Sequence, residues 1–259
     1  MSDAVRALRD ALVASLALPP SCRVDQRVPK KMLAEHGGAT AADRRLLTDG
    51  IEEAQWLAAI KPGTTAIPTW RDEVREYLEL AVLSMAVRST HAQPAQLQRL
   101  VELVHRAVPY PVLLIVSTPD TVAISLSHKR TAQNEAGRVV LDGDVVSFQF
   151  SGEVPDGFLD ALALGLQPQQ DLKALYQGWM DTLLAAQVAR VTGHFRTDPA
   201  PDQAAVRRIA LMEHQRLEAE AARLRALAGK ESQIAKRVDQ NLALRRLQAE
   251  LAAVRARLQ

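Results

Sequence analysis

Residues 112–127, VLLIVSTPDTVAISLS, decide how the rest of the chain is read. Val112–Ser117 is a continuous apolar strand pattern, far shorter than the roughly 20 apolar residues of a membrane span. Pro119 and Asp120 then supply turn chemistry. Beyond the turn the pattern becomes alternation, with Val122, Ile124 and Leu126 on one face and Thr121, Ala123, Ser125 and Ser127 on the other. Short strands joined by tight turns make a mostly antiparallel sheet, and the helical stretches around it make the chain α+β, with helices covering one face of the sheet.

Working outward, Pro94 opens a helix through Leu97, Leu100, Val101 and Val104 that stops at Pro109. Residues 54–60 read as a strand ending in the turn Pro62-Gly63, and 77–87 as a second strand with imperfect alternation. Residues 139–150 read as one strand bent at Asp142 and Gly143. Thr40 and Asp43 have capping-box spacing before a short helix through Leu46 and Leu47. Val5, Leu8, Leu12 and Leu16 mark an amphipathic N-terminal helix over residues 1–23, ended by Pro19 and Pro20. The α+β domain then occupies 24–196. Leu172, Leu175, Trp179, Leu183 and Leu184 form a core stripe within it, and 197–203, with two prolines, reads as a linker.

Residues 204–259 form a different kind of segment, helix-forming throughout, with no proline and one glycine. Leu217, Leu224 and Leu227 make one stripe, and Gly229 stands where a helix ends. Ile234, Val238 and Leu242 make a second stripe and Leu247, Leu251, Val254 and Leu258 a third, with a slip of register near Leu244. Two helices folded back as a hairpin or coiled-coil arm fit this pattern, the second roughly 40 Å long. The arm holds 12 basic and 6 acidic side chains, a net +6, so residues 1–203 carry −4 of the chain's +2. Such an arm is either a solvated helical face or a contact for nucleic acid or an acidic protein, with Arg237, Arg245 and Arg246 as the candidate contacts.

Composition narrows the classes. With 259 residues and 47% hydrophobic content the chain buries a real core, and the single Cys22 excludes a disulfide framework. The first segment lacks the apolar centre of a signal peptide, so a cytoplasmic location is expected. There is no glycine-rich phosphate loop, zinc spacing or nucleophile elbow in the sequence, so no catalytic residue, metal site or cofactor is assigned. The alternative is a metal-dependent nuclease using Asp49, Glu52, Glu79 and Lys129, although Ala81 stands where a Glu-x-Lys strand would place its lysine. The best local polar cluster is Ser127-His128-Lys129-Arg130 at a strand end. His128, Lys129 and Arg130 are candidate phosphate or partner contacts, and the alternative is an edge strand protected by its charges. Lys30 and Lys31 raise the same question beside Pro29, while Trp56 and Tyr110 sit in apolar runs and read as core.

A set of ordered motifs adds a family resemblance. They are Val28-Pro29-Lys30 before a helix, residues 54–62 (AQWLAAIKP), 108–115 (VPYPVLLI), 124–129 (ISLSHK), 230–233 (KESQ) and 236–241 (KRVDQN). Together they resemble the bacterial family of domain of unknown function 4391, from residue 24 to the C-terminus, in a chain richer in alanine and poorer in aromatics than that family's pattern. The resemblance implies an accessory protein of prokaryotic defence islands, encoded beside DNA methyltransferases and superfamily-two helicases, and it carries over no catalytic residues. The expected function is therefore a non-catalytic subunit of a restriction-modification-like system. Its arm would bind a helicase or methyltransferase partner, or DNA, with self-association through the arm as a further alternative and no membrane contact.

Overall fold

The computed structural model describes residues 2–132, 139–150, 153–197, 201–231 and 233–259. The chain divides into two compact units, Met1–Leu183 and Leu184–Gln259. In order, the first unit contains α1 (Asp3–Ser15), β1 (Arg23–Arg27), α2 (Lys30–Gly37), α3 (Ala41–Arg45), β2 (Ile51–Ile60), α4 (Pro62–Thr65), β3 (Trp70–Arg71), β4 (Glu76–Tyr77) and β5 (Leu80–Val87). There follow α5 (Pro94–Ala107), β6 (Val112–Ser117), β7 (Val122–Leu126), β8 (Lys129–Thr131), β9 (Val139–Leu141), β10 (Val146–Phe150) and α6 (Phe158–Ala161). The division falls inside α7 (Leu172–Thr192), and α8 (Pro201–Lys230) and α9 (Ile234–Ala256) complete the second unit.

The main sheet has the strand order β1-β2-β5-β6-β7-β10. Every neighbouring pair is antiparallel except β5 and β6, which run parallel and are joined by α5, as a parallel pair requires. Central β6 is buried at all six residues. Its alternate residues Val112, Leu114 and Val116 share a core with Leu33 of α2, Leu100, Leu103 and Val104 of α5, and Leu83 and Met85 of β5. On the opposite face α1 packs against β6 and β7 and buries Leu12. Helices therefore cover both faces, not one, because a strand apolar on both sides needs a partner on each. Gly37 marks a close contact of α2 with α5, since a Cβ there would lie 2.5 Å from the Leu103 carbonyl oxygen and 2.9 Å from the Ala107 Cβ.

Local chemistry explains several boundaries. Thr40 accepts from the Asp43 N–H at 3.1 Å while Asp43 accepts from the Thr40 N–H at 3.3 Å, the capping box that its spacing implies. Arg99 of α5 then grips both oxygens of Asp43, at 2.9 and 3.0 Å, tying α3 to α5. In β2 the register against β5 shifts between Trp56 and Ala58. Leu57 is the extra residue of this bulge, and the Trp56 indole N–H donates to the Ala58 carbonyl at 2.8 Å. Trp56 is half-buried against the core, and Tyr110 is also half-buried.

Two stretches that read as single strands are each divided. Residues 77–87 break at Leu78 and Glu79 into β4, which pairs with β3, and β5, which enters the main sheet. Residues 139–150 break at Gly143, whose φ of +87° favours glycine, into β9 of the β8–β9 hairpin and β10 at the edge of the main sheet. Asp142 is held at this break by its N–H bond to the His128 carbonyl and by Arg75 at 2.6 Å. Asp142 and Gly143 mark the second break in the sequence, whereas nothing local shows that the two halves of either stretch join different sheets.

In the second unit α8 begins at Pro201, within the stretch read as a linker, and residues 198–200 lie outside the described residues. The hairpin is antiparallel, with Arg257 beyond the end of α9 bonded to Glu213 of α8 at 2.8 Å. Its seam is formed by Ala210, Leu217, Ala221 and Leu224 of α8 and Leu244, Leu247, Leu251, Val254 and Leu258 from α9 and the turn after it, with Leu184 and Val188. The α9 stripe is continuous through Leu244 back to Gln240, without a slip. Val238 and Leu242 lie outside it and are about half exposed (51% and 49%).

Candidate functional site

The polar segment after β7 is where the sequence concentrates its most reactive groups. β7 lies between β6 and β10, so the segment leaves an internal strand of the main sheet, and its Lys129 and Arg130 enter β8 of the two-stranded β8–β9 sheet. Tyr176, fully buried on α7, fixes its start. The Tyr176 hydroxyl accepts the Ser127 N–H at 2.8 Å and donates to the Val112 carbonyl at 2.8 Å, bridging the adjoining ends of two strands. Burial pushes the Tyr176 phenol well up, so it remains a donor.

His128 stands in a chain of side chains from distant parts of the sequence. Gln177 donates to Asp181 at 2.9 Å, which turns its amide oxygen toward the His128 Nε2–H at 3.0 Å. Nδ1 then accepts from the Tyr77 hydroxyl at 2.5 Å, and burial keeps that phenol protonated by raising its pKa. The rings of Tyr77 and Tyr176 meet His128 edge-on, with centroids 6.1 and 5.6 Å away. With both nitrogens engaged, the imidazole orients the strand end.

Lys129 points inward. Its side chain is buried, its ammonium donates to the Val108 carbonyl, and burial lowers its pKa to about 7. Nearby His105 is fully buried on α5, and its Nε2 lies 2.9 Å from the Ser125 hydroxyl while Nδ1 has no hydrogen-bond partner. Desolvation, with the Lys129 charge second, pushes the His105 pKa down to about 3. Half-buried Arg130 reaches Asp142 at 3.8 Å. It also lines, with His36, Gly38, Arg106, Val140 and Leu141, a cleft of about 910 Å³.

The remaining candidates are dispersed. The Lys30 ammonium donates to the carbonyls of Thr48 and Ile51 at 2.9 and 3.0 Å, closing the π-helical turn Leu46–Gly50 that leads into β2. Lys31 is exposed and 3.9 Å from Glu35. Glu79 pairs with Lys61 at 3.7 Å just past the end of β2, whereas Asp49 and Glu52 lie at its start, about 30 Å away along a ten-residue strand. Among the described residues no group of three His, Cys, Asp or Glu side chains is placed to hold a metal ion, and no helix is long and apolar enough to cross a membrane.

The hairpin presents the opposite picture. Arg237, Arg245 and Arg246 are exposed and form no ion pair among the described residues. Around them the outer side of α9 carries Ala235, Val238, Leu242, Ala249, Ala252 and Ala256, all exposed. Each of the last five precedes a member of the buried α9 stripe by two residues, which places this face opposite the seam. Sequence reading missed this face because it placed Val238 and Leu242 in the packing stripe. It missed the Arg75–Asp142 and Tyr77–His128 pairs because contacts across 67 and 51 residues leave no local signal. No curated protein and no solved structure matches this chain. Residues 16–251 match the family described as Domain of unknown function (DUF4391), and the chain belongs to that family.

Proposed function

We propose that the protein is a non-catalytic accessory subunit that binds a protein partner along the outer face of α9. The observation that carries this reading is the exposed stripe itself. From Ala235 to Ala256 it runs for about 32 Å at 1.5 Å per residue, with small side chains that allow close approach of another helix. Arg245 lies within the stripe, and Arg237 and Arg246 fall on its two sides. A face of this kind suits an amphipathic partner helix with leucines along its centre and carboxylates at its borders. The resemblance to defence-island accessory proteins proposes the bearer of that helix, a helicase or DNA methyltransferase encoded beside this gene.

Co-expression with the adjoining genes, followed by affinity purification of the full-length chain, tests the reading. Wild-type protein should retain one of those gene products, and Val238→Glu with Leu242→Glu should lose it while keeping the wild-type circular dichroism spectrum. Retention by the folded variant would move the binding surface off α9. Duplex DNA is a second reading, favoured by the three exposed arginines and the arm's net charge of +6. On that reading wild-type affinity for unrelated duplexes falls steeply with salt and drops on replacing Arg237, Arg245 and Arg246 with Glu.

A further inference from the structure

The flank of α8 carries a second heptad pattern independent of the α9 face. The series Ile209, Glu213, Arg216, Glu220, Arg223 and Leu227 precedes by one residue the positions Ala210, His214, Leu217, Ala221, Leu224 and Ala228, of which Ala210, Leu217, Ala221 and Leu224 belong to the α8 seam. A one-residue offset rotates the series by about 100° around the helix, out of the seam and onto its side. Spacings of four, three, four, three and four keep the six residues in one stripe. Ile209 and Leu227 are 62% and 46% exposed, and Val206 and Met212, at 56% and 58%, widen the apolar patch around Ile209. Arg216 and Glu220 touch each other at 3.4 Å on the surface, and Glu213 is 39% exposed beside Arg257.

The order of this stripe is its own complement. When the stripe is laid against a reversed copy of itself, Ile209 faces Leu227, Glu213 faces Arg223 and Arg216 faces Glu220. Every position is then matched twice by symmetry. This register also sets each three-spaced position against a four-spaced one, the alternation that antiparallel helices require to interlock. A shift by one heptad in one direction sets Ile209 against Glu220, and in the other it sets Arg216 against Leu227, so charge and apolar contact select the same alignment. Same-patch contact about a two-fold axis is the commonest form of closed assembly. We propose that the chain self-associates as an antiparallel dimer through the α8 flank, with the charged centre fixing register and the apolar ends supplying adhesion.

Sedimentation equilibrium and cysteine pairing of the full-length chain test this. Wild type should show a concentration-dependent dimer that weakens with salt. A variant with Glu213→Arg and Glu220→Arg, and another with Arg216→Glu and Arg223→Glu, should each be monomeric and folded, and an equimolar mixture should form the heterodimer. Circular dichroism melts identify a variant that is monomeric through unfolding, and in that case cysteine pairing decides. Ile209→Cys mixed with Leu227→Cys should form an intermolecular disulfide, while neither variant should couple to itself. A wild type that stays monomeric at every concentration, failure of the folded mixture to pair, or self-coupling of Ile209→Cys would each overturn the proposal.

Discussion

The two units treat the same basic side chains in opposite ways. In the sheet unit buried Lys129 and half-buried Lys30 are consumed by backbone carbonyls, and half-buried Arg75 is paired with Asp142. In the hairpin Arg237, Arg245 and Arg246 face solvent beside exposed Val238 and Leu242. The physical cause is thickness. A sheet covered on both faces encloses carbonyls at the ends of its elements, such as Val108 after α5 and Ile51 at the start of β2, that require donors reaching in from the periphery, and a long lysine bridges that distance with its apolar stem buried. A two-helix hairpin has one narrow seam, so most of its surface is left for other contacts. A candidate site inferred from charge alone is therefore weaker evidence in the thick unit than in the thin one.

Substitutions can break or sharpen this contrast. The largest effect is expected in the sheet unit. Trp179 is fully buried and donates its indole N–H to the Leu162 carbonyl at 2.9 Å, so Trp179→Ala should cost about 3–5 kcal/mol in denaturant unfolding. In the hairpin, Leu247 is buried against a seam containing Ala210 and Ala221, where small neighbours permit partial collapse. Leu247→Ala should therefore cost about 2 kcal/mol, at the low end for a buried leucine. An equal or larger loss at Leu247 would refute the difference in thickness.

Acidity should act on the sheet unit. The folded pKa of His105, about 3, lies below its usual 6.5, so the stability this neutral group contributes is complete above pH 6.5 and lost as pH falls toward 3. The Lys129 pKa of about 7 lies below its usual 10.5, so its contribution grows as pH rises from 7 to 10.5. Urea midpoints followed against pH should lose part of the acid limb in His105→Gln and flatten above pH 7 in Lys129→Met. Unchanged slopes in both variants would show that neither group is held neutral by burial.

Smaller effects belong to the hairpin. Gln240 enters the buried stripe with a side-chain oxygen that has no hydrogen-bond partner. Gln240→Leu should therefore stabilise the chain by about 1 kcal/mol, read from the thermal midpoint. Replacing Arg237, Arg245 and Arg246 should move stability by no more than about 0.5 kcal/mol per site. A larger destabilisation would mean that these arginines support the fold instead of facing a partner.

The sequence by itself determined the segments that obey one local rule. The capping box at Thr40 and Asp43, the helix opened by Pro94, strand Val112–Ser117 and the helix break after Gly229 are fixed by the chemistry of neighbouring residues, and all appear in the structure. Only the tertiary structure decided which face each pattern presents. Residues 139–150 read as one strand bent at Asp142 and Gly143 yet serve two sheets, because β8 is the partner of one half and β7 of the other, and neither pairing is written in the local pattern. Helix α9 carries two apolar stripes, and the one containing polar Gln240 is buried because it meets the stripe of α8. The fate of Lys129 is the same lesson at one residue, since the Val108 carbonyl that receives it lies 21 positions away. Propensity and periodicity are properties of neighbours in the chain, whereas burial and pairing belong to neighbours in space, which the fold alone brings together.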